Sequence, residues 1–504
     1  MDEQAPKRAG RRLLFTLLGI LAILLVYAYA VQATEIDLKK PLDSGRQEDL
    51  LRVLRALADP DIVAIDEDTG NRIFSETTKI TFEAIIETIL MALLASTAGT
   101  LLAVPVSFLA ARNLMENITA PLASIMGGII AATVVGAGML FATGFLVGLS
   151  ESLVENIAYG IVAFVVTAGV FWLALARGSK FVDSLAEEKV GTGIIRLIRW
   201  ALVVGLLLFS LALVGQFGVI VGQWLAENLG PFGFLGNFLF VLSDMLRLLL
   251  PLVAALVAGV VAAAYGSRYT QEAVIRWTVL PAKILTGLVS VVGTFIVIFA
   301  IGSALNWLFA FDQPERWTTI PALIGGVIVG LFGLAIQPSR PFGIGSVIYT
   351  ISRSILNILR SIEPLIMGIV FVVWVALGPF AGIMALTLHS IAALGKLFSE
   401  QIEGIDEGPV EAITATGANS LQRIFFAVIP QIVPPFTAFA LYRWDINVRM
   451  STIIGFVGGG GIGYILTQNI RLLRYRQAAV MMLAIAIVVA SLDYASAKIR
   501  SRII

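Results

Sequence analysis

The sequence predicts an all-α protein, a polytopic bundle of about twelve transmembrane helices, and three observations predict it. First, 58% of the 504 residues are hydrophobic and only 14% are charged, whereas soluble chains carry roughly 45–50% and 25%. Second, the mean hydropathy is +0.91. Third, uninterrupted apolar runs of membrane-crossing length recur along the chain. Leu13–Ala33 and Ile284–Phe311 are two such runs, and neither holds a charged residue. A composition this apolar also excludes a disordered chain.

The candidate spans are 13–33, 80–111, 118–149, 157–176, 200–226, 237–265, 284–311, 320–338, 362–378, 380–396, 424–444 and 478–497. The first follows Lys7, Arg8, Arg11 and Arg12 as a signal peptide would. Its apolar stretch is longer than a signal core, so it reads as an anchor. Spans 362–378 and 380–396 meet at Gly378-Pro379. That is one broken element or, better suited to Pro at a tight turn, two helices. Asp244 and Arg247, three apart inside span 237–265, read as an ion pair shielded from lipid.

Basic residues near the bilayer stay in the cytoplasm. With the N-terminus inside, the inner segments hold 21 Lys and Arg against 13 outside. Both termini then face the cytoplasm of a multi-pass cell-membrane protein. The loop at 34–79 carries eleven acids that offset its basic residues. Arg443, Arg449, Arg471, Arg474 and Arg476 fall on the outer side and need a reason beyond topology.

Several chemistries are excluded. A net charge of +1 leaves no nucleic-acid footprint. Zero cysteines and a single histidine, His389, remove disulfides, thiol catalysis and multi-histidine metal sites. A P-loop is missing: at Gly395-Lys396, Ser390 stands where the first glycine belongs and Leu397 follows the lysine. The chain is expected to be no enzyme, to carry no cofactor, and to depend on a gradient or on another subunit for energy.

The polar island 399–423 is the most informative segment. Pro409 suits the first turn of a helix and Glu411 is placed there against the helix dipole. Ala412, Ala415, Gly417 and Ala418 allow another surface to approach the backbone. The segment reads as a short helix, a bend at Gly417 and a second helix, followed by Pro430 near the next span.

The spacing resembles the E-A-A-x-x-x-G-x9-I-x-L-P loop of binding-protein-dependent ABC importers. Glu411, Ala412, Gly417 and Pro430 match, while Ile413, Ala427 and Ile429 replace Ala, Ile and Leu. Residues 352–497 are similar to the phosphonate importer permeases through Arg360–Pro364, Leu377–Gly382, Leu388-His389, Gly395–Phe398, Leu441–Arg449 and Gly455–Gly463. Glu87-Thr88 and Phe108–Leu114 belong to the same resemblance. It implies a type I importer permease core, methionine-importer-like, with a six-helix insertion. The domains implied are 1–79 (anchor and external loop), 80–116 (first core part), 117–342 (inserted helices of unknown role) and 343–504 (second core part).

The resemblance also implies partners: two ATPase subunits that bind ATP and Mg, a second permease copy, an extracytoplasmic solute-binding protein, a phosphonate-like anion and membrane lipid. The coupling residues would be Pro409, Glu411, Ala412, Ala415, Gly417 and Pro430. The path would hold Arg443 and Arg449, because guanidinium forks bind tetrahedral oxyanions. Asp445 stands four residues before Arg449, so a plain helix pair is the competing reading. His389 is a path residue or an interior hydrogen-bonder, and Glu363 a path residue or a dipole-stabilised acid before Pro364. Gly455, Gly458, Gly459, Gly460, Gly461 and Gly463, with Arg471, form an outer gate or binding-protein contact, or else a place where backbones pack closely. The rival for the whole chain is an ion-gradient-driven carrier of an anionic solute. It would need free acids near the midplane and repeat symmetry, and no repeat is visible.

Overall fold

The computed structural model describes residues 5–35, 37, 39–65, 71–176 and 192–503. The basic residues between 177 and 191, counted above on the inner side, lie outside them. The chain divides into two compact units, one of Met1–Glu116 with Ser346–Ile504, the other of Asn117–Gly345.

The first unit opens with α1 (Ala5–Ala33), an apolar helix with an exposed surface. The segment after α1 then folds into α2 (Ser44–Ala58) and a hairpin of β1 (Val63–Ile65) and β2 (Arg72–Phe74), in register Val63↔Phe74. Helix α3 (Glu76–Leu109) starts at Ser75, whose hydroxyl accepts from the Thr78 N–H at 3.1 Å. A single turn, α4 (Arg112–Met115), ends this half. There Arg112 hydrogen-bonds Glu116 and, with its charge, holds that carboxyl below its ordinary value.

The second unit contains α5 (Leu122–Val154), α6 (Ile157–Ala176), α7 (Thr192–Asn228), α8 (Gly233–Arg276), α9 (Val279–Phe309), the turn α10 (Pro314–Trp317) and α11 (Thr319–Ala335). Small residues bring the helices together, as close packing without a hydrophobic drive requires. A Cβ on Gly236 would lie 2.1 Å from the Ala226 nitrogen, so α7 and α8 meet backbone to backbone. Ser124 and Ser267 hydroxyls join α5 to α8 at 2.6 Å. Arg247 does pair with Asp244, at 3.6 Å, but it also pairs with Glu151 of α5, so the cluster ties two helices together. The unit's two ends run side by side. Strand β3 (Ala120–Pro121) pairs antiparallel with β4 (Pro341–Phe342), and the Gly345 N–H donates to the Ile118 carbonyl at 3.1 Å.

The first unit resumes with α12 (Ile344–Ser361), α13 (Pro364–Val375) and α14 (Pro379–Glu403). Then follow α15 (Glu407–Ala415), α16 (Ser420–Arg423), a π-helical turn at Ile424–Val428, α17 (Ile429–Gly455), α18 (Gly461–Arg471) and α19 (Tyr475–Ile503). Its core has a stacked pair, Phe398 on Phe436 at 3.9 Å between centroids, set among Ala103, Leu394, Ile402 and Ile432.

Among the described residues, ten helices are long and apolar enough to cross a membrane. Of the two remaining candidates, 157–176 coincides with α6, an apolar helix of twenty residues. Candidate 362–378 is helical only over the twelve residues of α13, about 18 Å against a hydrocarbon core of about 30 Å. Positive φ at Ala376 (71°) and Gly378 (144°) ends that helix, and Pro379 opens the next, so the pair is two helices. Helices α12 and α13 meet at a 90° bend.

Candidate functional site

The polar island folds as an exposed loop pinned at both ends. Asp406 caps α15 by accepting from the Gly408 N–H at 3.0 Å. The helix begins at Glu407, so Glu407 is the first-turn acid and Glu411 lies one turn further on. Pro409 falls among the first four residues, whose N–H groups have no intrahelical acceptor. Pro409, Glu411, Ala412, Ala415 and Gly417 are all exposed. Gly417 has φ of +80°, and nothing lies within 4 Å of where a Cβ would stand, so the turn there is left-handed and open. Asn419 and Gln422 then cap α16 reciprocally, each backbone N–H donating to the other's side chain at 2.9 Å. Pro430 sits in the first turn of α17.

Two of the pinning residues, Gln431 and Arg353, were singled out by no sequence motif, while Arg112 and Asn113 lie in the Phe108–Leu114 run. The Asp406 N–H donates to Gln431 Oε1 at 2.9 Å, and Gln431 Nε2 donates back to the Asp406 carbonyl at 3.2 Å. On the other side, Arg353 of α12 reaches Glu403 at 2.8 Å, and Glu403 also accepts from the Arg112 N–H at 2.8 Å. Asn113 Nδ2 donates to the Ile402 carbonyl at 2.8 Å. Motion of α15 is thereby linked to α4, α12, α14 and α17.

Deep in the same unit lies a polar cluster on three apolar helices. Helix α17 extends well past residue 444, which puts Arg443 at mid-helix and not near its end. Arg443 is 6% exposed. Its Nε donates to Ser390 Oγ of α14 at 3.0 Å. Asn447, one turn on, donates Nδ2 to Ser390 Oγ and to Ser96 Oγ of α3, both at 2.9 Å. Asp445 is buried and pairs with Arg449, whose side chain is half exposed and borders an open groove with Asp493 of α19. The helix pair is therefore present at Asp445–Arg449, while Arg443 forms no ion pair among the described residues. His389 is half-buried beside Ser390, and Glu363 is exposed at the N-cap of α13.

The glycine stretch makes a tight turn between α17 and α18. Gly458, Gly460 and Gly461 have φ of 95°, 78° and 69°. The N–H groups that open α18 are already taken: Gly461 donates to Glu87 Oε1 at 2.9 Å, and Ile462 to Thr88 Oγ1 at 2.8 Å. A Cβ on Gly463 would stand 1.9 Å from the Thr452 carbonyl oxygen. Gly455 and Gly459 are buried in the same turn, with the Gly459 carbonyl against Gly382. Arg471 is exposed at the last turn of α18. Of the neighbouring arginines, Arg476 is tied to the segment after α2, bonding the Asp59 carbonyl at 3.0 Å and its carboxylate at 3.1 Å.

The sequence pattern described as "Binding-protein-dependent transport system inner membrane component" matches residues 322–497. The phosphite transport system permease protein PtxC of Stutzerimonas stutzeri is 40% identical over 190 residues, 37% of this chain and 69% of that protein. The putative cryptic phosphonate transport system permease protein PhnE2 of Escherichia coli is 43% identical over 24% of this chain and 99% of that protein. The phosphate-import permease protein PhnE of Mycolicibacterium smegmatis is 28% identical over 83% of this chain and 85% of that protein. A match of that length necessarily runs through Asn117–Gly345, so the second unit has a counterpart in at least one relative. On this coverage the chain belongs to the binding-protein-dependent transport system inner membrane components, as an ABC importer permease subunit and not an enzyme.

Proposed function

We propose that the chain imports phosphonate or a closely related phosphorus oxyanion, working as the membrane path of an ATP-driven assembly. The relatives named above carry phosphite, phosphonate or phosphate in their names, and this supports the substrate class. Two copies would form the path, two ATPase subunits would hold ATP and Mg, and a solute-binding protein would deliver the anion to the outer face. The loop 403–425 and both termini would face the cytoplasm.

The observation that carries the reading is the α15 loop. Its small and acidic residues are uncovered, yet its ends are fixed to transmembrane helices by Gln431, Glu403 and Arg353. Such an element can take up motion from a separate motor and pass it to the spans as a two-state change. His389 and Glu363 as further path residues, and the gate set Gly455–Gly463 with Arg471, belong to the same proposal, whereas Arg449, whose charge Asp445 neutralises, is left out of the path. Glu411→Arg with Gly417→Asp is expected to abolish co-purification of the ATPase while leaving the thermal midpoint of the permease in place. Uptake that persists under ATP depletion, with the ion gradient clamped, would instead identify a gradient-driven carrier.

A further inference from the structure

Charges buried in a membrane protein find partners, because an unpartnered ion in hydrocarbon is expensive. Here Asp445 has Arg449, Arg247 has Glu151 and Arg353 has Glu403. Arg443 is different. The residue is 6% exposed, it meets no carboxylate within ion-pair distance among the described residues, and its Nη2 is buried with no hydrogen-bond partner. Around it stand neutral hydroxyls and an amide: Ser390 (0% exposed), Asn447 (0%) and Ser96 (4%). Ser390 Oγ accepts from both Arg443 Nε and Asn447 Nδ2, so one hydroxyl holds two donors in place.

We propose that Arg443 is the anion-binding residue of the transport path and that Ser390, held by Asn447 and Ser96, occupies its fork until the oxyanion arrives. This rests on the importer reading above. Two of the three helices that supply the cluster, α14 and α17, are among those the α15 loop is pinned to. When α14 and α17 part, Ser390 withdraws and Nε and Nη2 present two parallel donors. A tetrahedral phosphorus oxyanion offers two oxygens at matching spacing and supplies the missing negative charge. The amide of Asn447 and the two hydroxyls then supply neutral donors for the remaining oxygens. Arg449 has no such role, because Asp445 already neutralises it. The assignment thus separates two arginines that the sequence pattern treats alike, adds Ser96 and Ser390, which it did not mark, and gives a role to Asn447 within the Leu441–Arg449 run.

The test uses the assembled transporter, with ATPase and binding protein, in proteoliposomes supplied with phosphite, inorganic phosphate or methylphosphonate. Arg443→Gln is expected to lower kcat/KM for uptake about tenfold to 100-fold, the range of one charged hydrogen bond, while basal ATP hydrolysis stays intact. Arg443→Lys should restore part of the loss with a raised KM, and Arg449→Gln should keep the wild-type KM. Because the chain has no cysteine, Ser390→Cys places a single thiol in it. Its modification by an anionic thiol reagent during turnover should be slowed by saturating phosphite and not by chloride at the same ionic strength. Wild-type KM in Arg443→Gln, or labelling of Ser390→Cys indifferent to phosphite, overturns the assignment and leaves the importer reading standing. Failure of the wild-type assembly to take up any of the three anions removes that reading, and this inference with it.

Discussion

Arg449 and Asp445 are unequally buried, with side-chain exposures of 48% and 2%, so the two ends of their ion pair have different consequences. Removing the arginine strands a buried carboxylate; removing the acid frees a guanidinium that can reach water. Arg449→Ala is expected to destabilise the permease by about 1–3 kcal/mol, and adding Asp445→Asn should recover most of that. Thermal unfolding of the detergent-solubilised protein reads both. Gly463 is a stricter case, since the contact is to backbone: a Cβ there would stand 1.9 Å from the Thr452 carbonyl oxygen. Gly463→Ala should cost at least about 1–3 kcal/mol by overpacking, seen as a lowered thermal midpoint or loss of monodisperse protein. At this scale the sequence was least legible. Ser96, Ser390 and Asn447 are polar residues on three separate helices, and their bonds join positions 351 and 57 apart in the chain. No local spacing marks such pairs. The role of Glu87 and Thr88, capping α18 from α3, was hidden in the same way.

Helices were far more legible, because a membrane-crossing helix is a long apolar run and little else resembles it. The bend at Gly417 was legible too, since a left-handed residue in an exposed turn favours glycine. Candidate 362–378 marks where hydropathy fails: the break at Gly378-Pro379 was legible, but the 90° bend after Ser361 and the left-handed Ala376, which leave a helix of twelve residues, were not. Two predictions belong to elements. Gly417→Ala should cost about 1–2 kcal/mol locally, the penalty of a left-handed Cβ, and Gly417→Asn distinctly less. Both are checked by the fraction of ATPase retained on the purified permease. Gln431→Ala removes both bonds that fasten Asp406 to α17. It should loosen the response of ATP hydrolysis to the loaded binding protein while leaving the ATPase bound, which steady-state hydrolysis assays distinguish.

On the scale of the whole molecule, the two compact units invite a deletion. Unit Asn117–Gly345 is entered and left through the β3–β4 pair, with Ala120 opposite Phe342 and Pro121 opposite Pro341. Replacing residues 118–344 by a short Gly-Ser linker asks the remaining chain to bridge only the gap between neighbouring strands. That variant is expected to insert in the membrane and to co-purify the ATPase, because every pin of the α15 loop lies in the other unit. Size-exclusion profiles and ATPase recovery check it. The composition disclosed a membrane protein and the apolar runs disclosed the insertion's helices. The closeness of the insertion's two ends depends on a pairing 222 positions apart in register, Ala120 with Phe342, which no periodicity encodes.

That seam has a consequence for descent. A segment whose beginning and end already touch can be acquired or discarded in one genetic event without dragging its neighbours out of place. Size differences among such proteins should therefore cluster at this single junction, while the lengths of the flanking stretches stay nearly constant.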